Sequence, residues 1–507
     1  MAIVNSILSW LMKQRISQIE HFMKNPFEVQ ERWRNHLLET AANTEIGKKF
    51  GFNRIKNQQQ FNAQIPLMDY DDIKPFIQKQ MDGISNVLWP TQVKWYAKSS
   101  GTTSDKSKFI PVSEEALEHC HFKGGKDLIS IYCNNHSETK VFDGKLLSMG
   151  GSHQVNSIST DTYTGDLSAI LIQNLPFWIQ ILRTPDLSIA LMDNWEEKIE
   201  KMAVSTMNEN ITNISGVPSW TLVLLKRILE LKNKNNILEI WPNFELFVHG
   251  GVSFTPYREQ FQKLFPGSQV NYLETYNASE GFFGIQDLSD ADDMLLMLDY
   301  GIYYEFIPFE NIEEKNPKTL TLDEVKAGEN YALVITTNGG LWRYKIGDTI
   351  TFTSINPFRI KVSGRTKHFI NAFGEELIID NAEKALDEAC SATGAVITEY
   401  TASPVYFSDN SNGAHEWLIE FAQQPVDLNE FINHLDKKLM SLNSDYEAKR
   451  STGMVLGRPL VKPLPEGTFY NWLKSKGKLG GQNKVPRLSN NRQYVDEIKN
   501  LVTATDL

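Results

Sequence analysis

Cysteine is scarce in this chain. Its 507 residues include three, Cys120, Cys133 and Cys390, with no CxxC pair. An odd count without metal-ligand spacing argues against a disulfide framework and a structural zinc site. It fits a reducing, cytoplasmic compartment. Basic charge is also in deficit: 51 Lys and Arg face 62 Asp and Glu, a formal net charge of −11. The basic runs are short, Lys106 with Lys108 in one loop and Lys474, Lys476 and Lys478 in another. Broad electrostatic binding to nucleic acid or an anionic membrane is therefore not expected. No run of about 18 uncharged apolar residues occurs, so no transmembrane helix is expected. The most apolar stretch, 169–182, is broken by Gln173, Asn174, Pro176 and Gln180. The apolar residues near the N-terminus follow no basic segment and precede no small-residue cleavage site. They read as an amphipathic helix rather than a signal peptide.

What is present is ordinary globular material. Hydrophobic residues make up 41% and charged residues 22%, with 11 Trp and 27 Phe to fill a core. The length allows two to four domains, or one large and one small. Residues 1–50 read as two packing helices separated at Asn25-Pro26. From about residue 91, apolar runs such as KLLSMG, ELFVHGG, QVNYLETY, YYEFIPF and YALVITT alternate with helical segments, one of them from Ser219 to Leu231. That alternation argues for an α/β architecture with a parallel or mixed sheet. SGRTKHFINAFGEELI reads as a turn, a short strand and another turn. Beyond it come helices at about 380–390 and 428–442 and strands near 395–400 and 417–421. The boundary falls at Thr366–Lys367, giving a large domain 1–366 and a small α+β domain 367–507.

Five segments carry candidate chemistry. Tyr96–Val112 packs six hydroxyls (Ser99, Ser100, Thr102, Thr103, Ser104, Ser107), Gly101, and Lys98, Lys106 and Lys108 between a strand-like run and a helix near Ser113. Hydroxyls and free backbone N–H groups can wrap a polyphosphate, and lysine supplies compensating charge. It is not a P-loop, because no Gly precedes Lys106. Tyr272–Gly284 ends a strand in a small-residue turn bearing Ser279 and Glu280. Gly339–Asp348 closes on Tyr-Lys-Ile-Gly-Asp, read as a Gly-Asp turn after a strand. Ser363–Lys367 is a Gly-Arg turn. Gly480–Arg487 holds Lys484 on a loop shaped by glycine and proline. Taken singly, a solvated Ser/Thr loop, an ordinary turn, an anchored arginine or a basic tail is each a common alternative. Gly250 and Gly251 at a strand end would let a backbone approach an acyl group, and Val217 and Trp220 could line its pocket. His249 reads as a satisfied structural histidine.

In order and spacing, these segments resemble the acyl-adenylate-forming enzymes. SSGTTSDKSKFIPV is similar specifically to the auxin-responsive Gretchen Hagen type acyl acid amido synthetases. The resemblance implies an ATP-dependent, AMP-forming ligase that uses Mg²⁺ and has a mobile C-terminal domain. A small carboxylic acid would be adenylated and its acyl group transferred to the amine of an amino acid. It further implies that Ser99, Ser100, Gly101, Thr102 and Thr103 bind ATP phosphates with Lys108. Tyr276, Asn277 and Ala278 would border the adenine, Ser279 would contact phosphate, and Glu280 would hold Mg²⁺. Asp348 would take the ribose hydroxyls, Arg365 would lie near ribose or phosphate, Lys367 would be the hinge, and Lys484 would stabilise the α-phosphate. The family often has Gly where this chain has Asp105, which is expected to face solvent or a lysine. An acyl-CoA ligase on the same scaffold and an inert nucleotide-binding relative are the alternatives. A monomer is compatible with the sequence, which does not specify the oligomeric state.

Overall fold

The computed structural model describes the chain except residues 1–9, 11, 13, 101–106, 151–154, 160, 193, 253, 255–256, 268–269, 290, 313, 366–368, 408–411, 452, 477–484 and 506–507. Side chains are also left undescribed at 100, 159, 178, 195, 365 and 503–505. The fold divides into two compact units, one of residues 1–99 and 109–366, the other of residues 100–108 and 367–507.

The first unit opens with helices Ile16–Lys24 and Pro26–Ala41. Asn25 separates them, and Pro26 starts the second helix, where its missing N–H costs nothing. Both bury an apolar stripe, including Phe22, Val29 and Leu37. Gln30 is buried among these residues, and its amide serves the backbone of the sheet. Its Nε2 donates to the carbonyls of Leu298 and Ile302, both at 2.9 Å, and its Oε1 accepts from the Tyr304 N–H at 2.9 Å. Arg15 lies just ahead of the helices and is also buried. Its guanidinium meets Asp127 at 2.8 Å and Asp299 at 2.7 Å, while the Tyr300 hydroxyl donates to Asp127 at 2.9 Å.

The strands of this unit are β1 (Trp95–Ser100), β2 (Ser107–Val112), β3 (Lys145–Ser148), β4 (Asn156–Ser159), β5 (Thr162–Gly165), β6 (Arg183–Thr184), β7 (Ile211–Ser215), β8 (Leu246–Gly250), β9 (Asn271–Ala278), β10 (Gly281–Ile285), β11 (Met294–Leu296), β12 (Ile302–Pro308), β13 (Asn330–Thr337), β14 (Tyr344–Ile355) and β15 (Phe358–Arg365). Eleven of them form one mixed sheet, ordered β12-β13-β14-β15-β11-β10-β9-β8-β7-β3-β6. From β6 to β9 the neighbours are parallel. Such strands need crossovers, which here include helices Trp195–Thr206, Pro218–Lys232 and Arg258–Leu264. From β9 to β12 the neighbours are antiparallel. A four-stranded sheet, β2-β1-β5-β4, stands apart.

Two sequence expectations are corrected here. The Gly347-Asp348 pair is not a turn after a strand but lies within β14. Between the pairs Val334↔Lys345 and Ala332↔Thr349, β13 has one residue and β14 has three, so the ladder bulges at Ile346–Asp348. Gly347 supplies the positive φ, +93°, that the bulge requires. Ser363–Arg365 likewise is not a turn. It completes β15, and Arg365 pairs with Asp348.

The second unit carries β16 (Phe369–Ile370), β17 (Leu377–Ile378), helix Ile379–Thr393, β18 (Val396–Val405), β19 (Ala414–Gln423), helix Leu428–Leu442 and β20 (Leu460–Leu464). β19 lies between β18 and β20. The fully buried Glu375 accepts from the N–H groups of Ala372 (3.1 Å) and Phe373 (2.6 Å) and meets His415 Nε2 at 2.8 Å. The three thiols are unbridged, with Cys120 and Cys133 buried. Among the described residues, no helix is long and apolar enough to cross a membrane.

Arg343 sits in the core at a positive φ of +41°. Its Nε and Nη2 reach the two Glu305 oxygens at 2.9 Å each, and Nη1 donates to the Ile65 carbonyl at 2.7 Å. The pair is almost fully buried, so removing one partner strands the other charge. Arg343→Ala is expected to cost about 3–5 kcal/mol of stability, measured by urea denaturation of the full chain.

Candidate functional site

The site is built where the sheet changes from parallel to antiparallel. β9 and β10 form a hairpin, with Ala278 opposite Gly281 and Ser279-Glu280 at its tip. Tyr276 stands two residues before Ala278, and its ring is buried. Its hydroxyl donates to an Asp348 carboxylate oxygen at 2.7 Å. Asp348 is also buried and comes from the β14 bulge. Bulges commonly re-aim a side chain beside a functional site. A half-buried hydroxyl-and-carboxylate turn and a buried carboxylate are thus brought to one end of the sheet.

The neighbouring strand end supplies the apolar side. β8 closes on Gly250, opposite Thr275. A Cβ at Gly250 would fall 2.5 Å from the Thr275 carbonyl oxygen, so only glycine allows this approach. Gly251 follows at φ +79°, and a Cβ there would lie 3.7 Å from Val217 Cγ2. Val217 precedes helix Pro218–Lys232, whose first turn buries Trp220. Val217, Trp220, Gly250 and Gly251 therefore come from adjacent strand ends, β7 and β8.

Electrostatics at this end are set by burial. His249 is 3% exposed, and its ring stacks on Phe254 at 4.1 Å between centroids. Burial first, and Arg258 second, depress its pKa to about 3. Its Nδ1 has no hydrogen-bond partner among the described residues. The structural histidine expected here is packed among aromatics, and the hydroxyl residues Ser253 and Thr255, nearby in sequence, lie outside the described residues. Burial raises the Glu274 carboxyl above its usual range, with Arg258 opposing and Asp292 adding to the rise. Burial also raises the Tyr272 hydroxyl to about 12.

Three family models cover this chain: the GH3 family N-terminal domain at residues 15–270, the central domain at 295–365 and the C-terminal domain at 380–493. The chain belongs to the GH3 family. Among similar proteins, an indole-3-acetic acid-amido synthetase of Arabidopsis thaliana is 23% identical, over 92% of this chain and 90% of that protein. A jasmonoyl–L-amino acid synthetase of Nicotiana attenuata is 25% identical, over 93% and 92%. Among solved structures, a GH3.15 acyl acid amido synthetase superposes with TM-score 0.61 at 16% identity, covering 96% of each chain. A 2-hydroxyisobutyryl-CoA ligase superposes at 0.57 and 12% identity, covering 94% of this chain and 92% of that one. These likenesses establish a shared fold, the mixed α/β body with a smaller C-terminal unit.

In this GH3 protein, the described candidates fall into clear groups. Tyr276 and Asp348 touch, and Asn277, Ala278, Ser279 and Glu280 continue from Tyr276 to the hairpin tip. Ser99 and Lys108 are described and half-buried, on β1 and β2. Gly101, Thr102, Thr103, Asp105, Lys367 and Lys484 lie outside the described residues, and the side chains of Ser100 and Arg365 are not described. Sequence reasoning missed Thr275, whose backbone dictates Gly250. It also missed the Tyr276–Asp348 bond, which links residues 72 apart.

The neutral His249 makes a testable demand on stability. The unfolded chain takes up a proton at this residue below about pH 6.5, whereas the native state does so only near 3. Between those values the unfolded state binds more protons, so stability falls as the pH drops through that window. His121, depressed by burial to about 4, acts in the same direction. His249→Phe is expected to flatten the fall in unfolding free energy between pH 6.5 and 4 by up to about 1.4 kcal/mol per pH unit, measured by urea titration at each pH.

Proposed function

We propose that this chain is an acyl acid amido synthetase that adenylates a small carboxylic acid with ATP and passes the acyl group to an amino acid. Carboxylates do not react with amines at neutral pH, so a leaving group must first be installed. A carboxylate oxygen attacks the α-phosphorus of ATP, the bond to the β-phosphate breaks, and pyrophosphate leaves. The amine nitrogen then attacks the acyl carbonyl, the acyl–phosphate bond breaks, AMP leaves, and the amine proton goes to solvent. The observation that carries this reading is the meeting of Tyr276 and Asp348 beside the Ser279-Glu280 turn, in a chain of this family.

Asp348 is the acceptor for the ribose hydroxyls, held in aim by the Tyr276 hydroxyl. Tyr276, Asn277 and Ala278 border the adenine. Ser279 and the Ser99–Thr103 segment, with Lys108, take the phosphates, and Arg365 lies by the ribose or phosphate. Val217, Trp220, Gly250 and Gly251 face the acyl group. Lys484 stabilises the charge that builds on the α-phosphate, and Lys367 is the hinge between domains 1–366 and 367–507. Glu280 suits Mg²⁺ because a hard cation takes carboxylate oxygen. No group of three or more His, Cys, Asp or Glu that could hold a metal occurs among the described residues, so phosphates would complete its coordination. Bound there, Mg²⁺ would screen phosphate charge. The unbridged thiols support a cytoplasmic setting.

Asp348→Ala is expected to weaken ATP binding at least about tenfold, since hydrogen bonds to a charged group contribute about 1.5–3 kcal/mol. Unchanged affinity by calorimetry in a folded variant would reject the ribose role. Lys484→Ala is expected to lower ATP–pyrophosphate exchange about 10²–10³-fold. Supplied with synthetic acyl-adenylate, the same variant should still make amide with an amino acid. Equal loss in both half-reactions would reject an adenylation-specific role. Turnover with CoA in place of amino acids would identify an acyl-CoA ligase, and no exchange with any acid would identify an inert nucleotide binder.

A further inference from the structure

A buried guanidinium lacks a counter-charge at the edge of the large sheet. Arg183 opens β6 and is 5% exposed. Its Nε donates to Ser148 Oγ at 3.3 Å, and its Nη2 has no partner among the described residues. No carboxylate lies within ion-pair distance of it among the described residues. Burial lowers its pKa, and the exposed Asp186 only partly offsets this. Every other buried arginine described in this unit has its charge met: Arg15 by Asp127 and Asp299, Arg34 by Glu31, Arg343 by Glu305, and Arg359 by Asp287 and Asp293. An unpaired buried cation costs free energy that packing alone does not return, so a partner other than the described residues is implied.

The position of Arg183 indicates what that partner is. Arg183 pairs with Leu146 but reaches along the sheet to Ser148, the last residue of β3. Ligands of open α/β sheets bind beyond the carboxyl ends of parallel strands. A chain of close contacts runs along those ends from β8 to β6. Gly251 lies against Val217, and a Cβ on Gly216 would be 3.5 Å from Met149 Cβ. A Cβ on Gly150 would be 3.3 Å from Ile172 Cδ1, and Ser148 then meets Arg183. Lys198 fixes the Gly150 carbonyl from helix Trp195–Thr206, at 3.1 Å. This run carries apolar side chains at Val217, Met149 and Ile172, beside the Thr221 hydroxyl and the Ala190 carbonyl, and ends on a cation. Three strand spacings separate β8 from β6, about 14 Å between backbones.

We propose that Arg183 is an anion-binding, specificity-determining residue for the distal carboxylate of the acyl acid. The substrate class is then an acid with an apolar spacer and a second anionic group on the order of 10 Å from the reacting carboxylate. This rests on the adenylating function proposed above. The acceptor amino acid also carries a carboxylate, but the run of contacts leads from Arg183 to the Gly250-Gly251 end, where the acyl group is proposed to lie.

The test compares linear dicarboxylic acids of about 8–12 carbons with monocarboxylic acids of equal length, in the full-length wild type, Arg183→Met and Arg183→Lys. Two readouts are taken: ligand-induced change in melting temperature, and kcat/KM for ATP–pyrophosphate exchange without amino acid. Wild type should favour the diacid in both. Arg183→Met should cut the diacid-to-monoacid ratio about ten- to a hundred-fold, the scale of one charge-assisted contact, and Arg183→Lys should restore part of it. Without ligand, Arg183→Met should melt no lower than wild type, because an unpaired buried charge has been removed. A diacid preference that survives in Arg183→Met would overturn the proposal, as would a ligand-free melting temperature several degrees lower. If Arg183→Met leaves both readouts unchanged and raises only the KM for the amino acid, measured separately in amide formation, the carboxylate belongs to the acceptor and the proposal is overturned too. Diacid-dependent stabilisation with no exchange would retain the anion site and reject the ligase reading. Exchange with no diacid preference would do the reverse.

Discussion

The Tyr276–Asp348 hydrogen bond constrains more of this molecule than its length suggests. β9 and β14 are not neighbours: β10, β11 and β15 lie between them. Four strand spacings would put their backbones about 19 Å apart in a flat sheet. A tyrosine and an aspartate side chain together cannot span that distance, yet their oxygens are 2.7 Å apart. The antiparallel half must therefore curl until β14 faces β9 across the hollow. Strand twist supplies part of the curl, and the ladder irregularities along β14 and β15 supply more. Asp348 is aimed by everything between the two strands, and the bond reports that the curl has closed.

The same junction explains why the candidate residues collect on β9. Its one neighbour, β8, runs parallel, and its other, β10, runs antiparallel. On the parallel side, successive strands end together and leave a crevice beyond their carboxyl ends. On the antiparallel side, a tight hairpin returns the chain at Ser279-Glu280. A strand shared by both regimes has an apolar crevice on one flank and a polar turn at its tip. The reaction proposed above needs those two environments side by side, one for a carboxylic acid and one for a polyphosphate. Gly250 is the cost of bringing them this close, because any side chain there would strike the Thr275 carbonyl.

Local signals in the sequence were strong enough to be read where one element decides them. The helix expected at 428–442 has those bounds, because its apolar spacing and its Asp427 cap, which bonds the Asn429 and Glu430 N–H groups, are local features. The Ser279-Glu280 turn was legible for the same reason. The Gly347-Asp348 bulge was not. Glycine followed by aspartate signals a turn locally, and only pairing with both β13 and β15 turns it into a distortion of a continuing strand. The Arg343–Glu305 and Arg15–Asp127 pairs bring together residues 38 and 112 positions apart, and no spacing rule predicts such partners. Arg183 was overlooked because its significance is a missing partner, and a sequence displays residues rather than absences.

The chain on either side of 366–368 is firmly held. Before it, β15 stays in the ladder to Arg365, opposite the buried Asp348. After it, Phe369 and Ile370 pair with Ile378 and Leu377. The turn between those strands includes residues at positive φ, Gly374 at +88° and Glu376 at +40°. Glu375 holds it by capping two backbone N–H groups and meeting His415, with both side chains fully buried. Asn443 donates to the Glu376 carbonyl at 3.0 Å, and the Asn490 side-chain oxygen accepts from the Asn371 N–H at 2.6 Å. A turn with so many fixed bonds resists dihedral change, as does a strand end paired to a buried carboxylate. Hinges are few-residue positions that absorb φ/ψ change for the rigid parts around them. The hinge proposed at Lys367 would therefore have rigid lever arms on both sides, and the buried Glu375–His415 pair gives the C-terminal arm its stiffness.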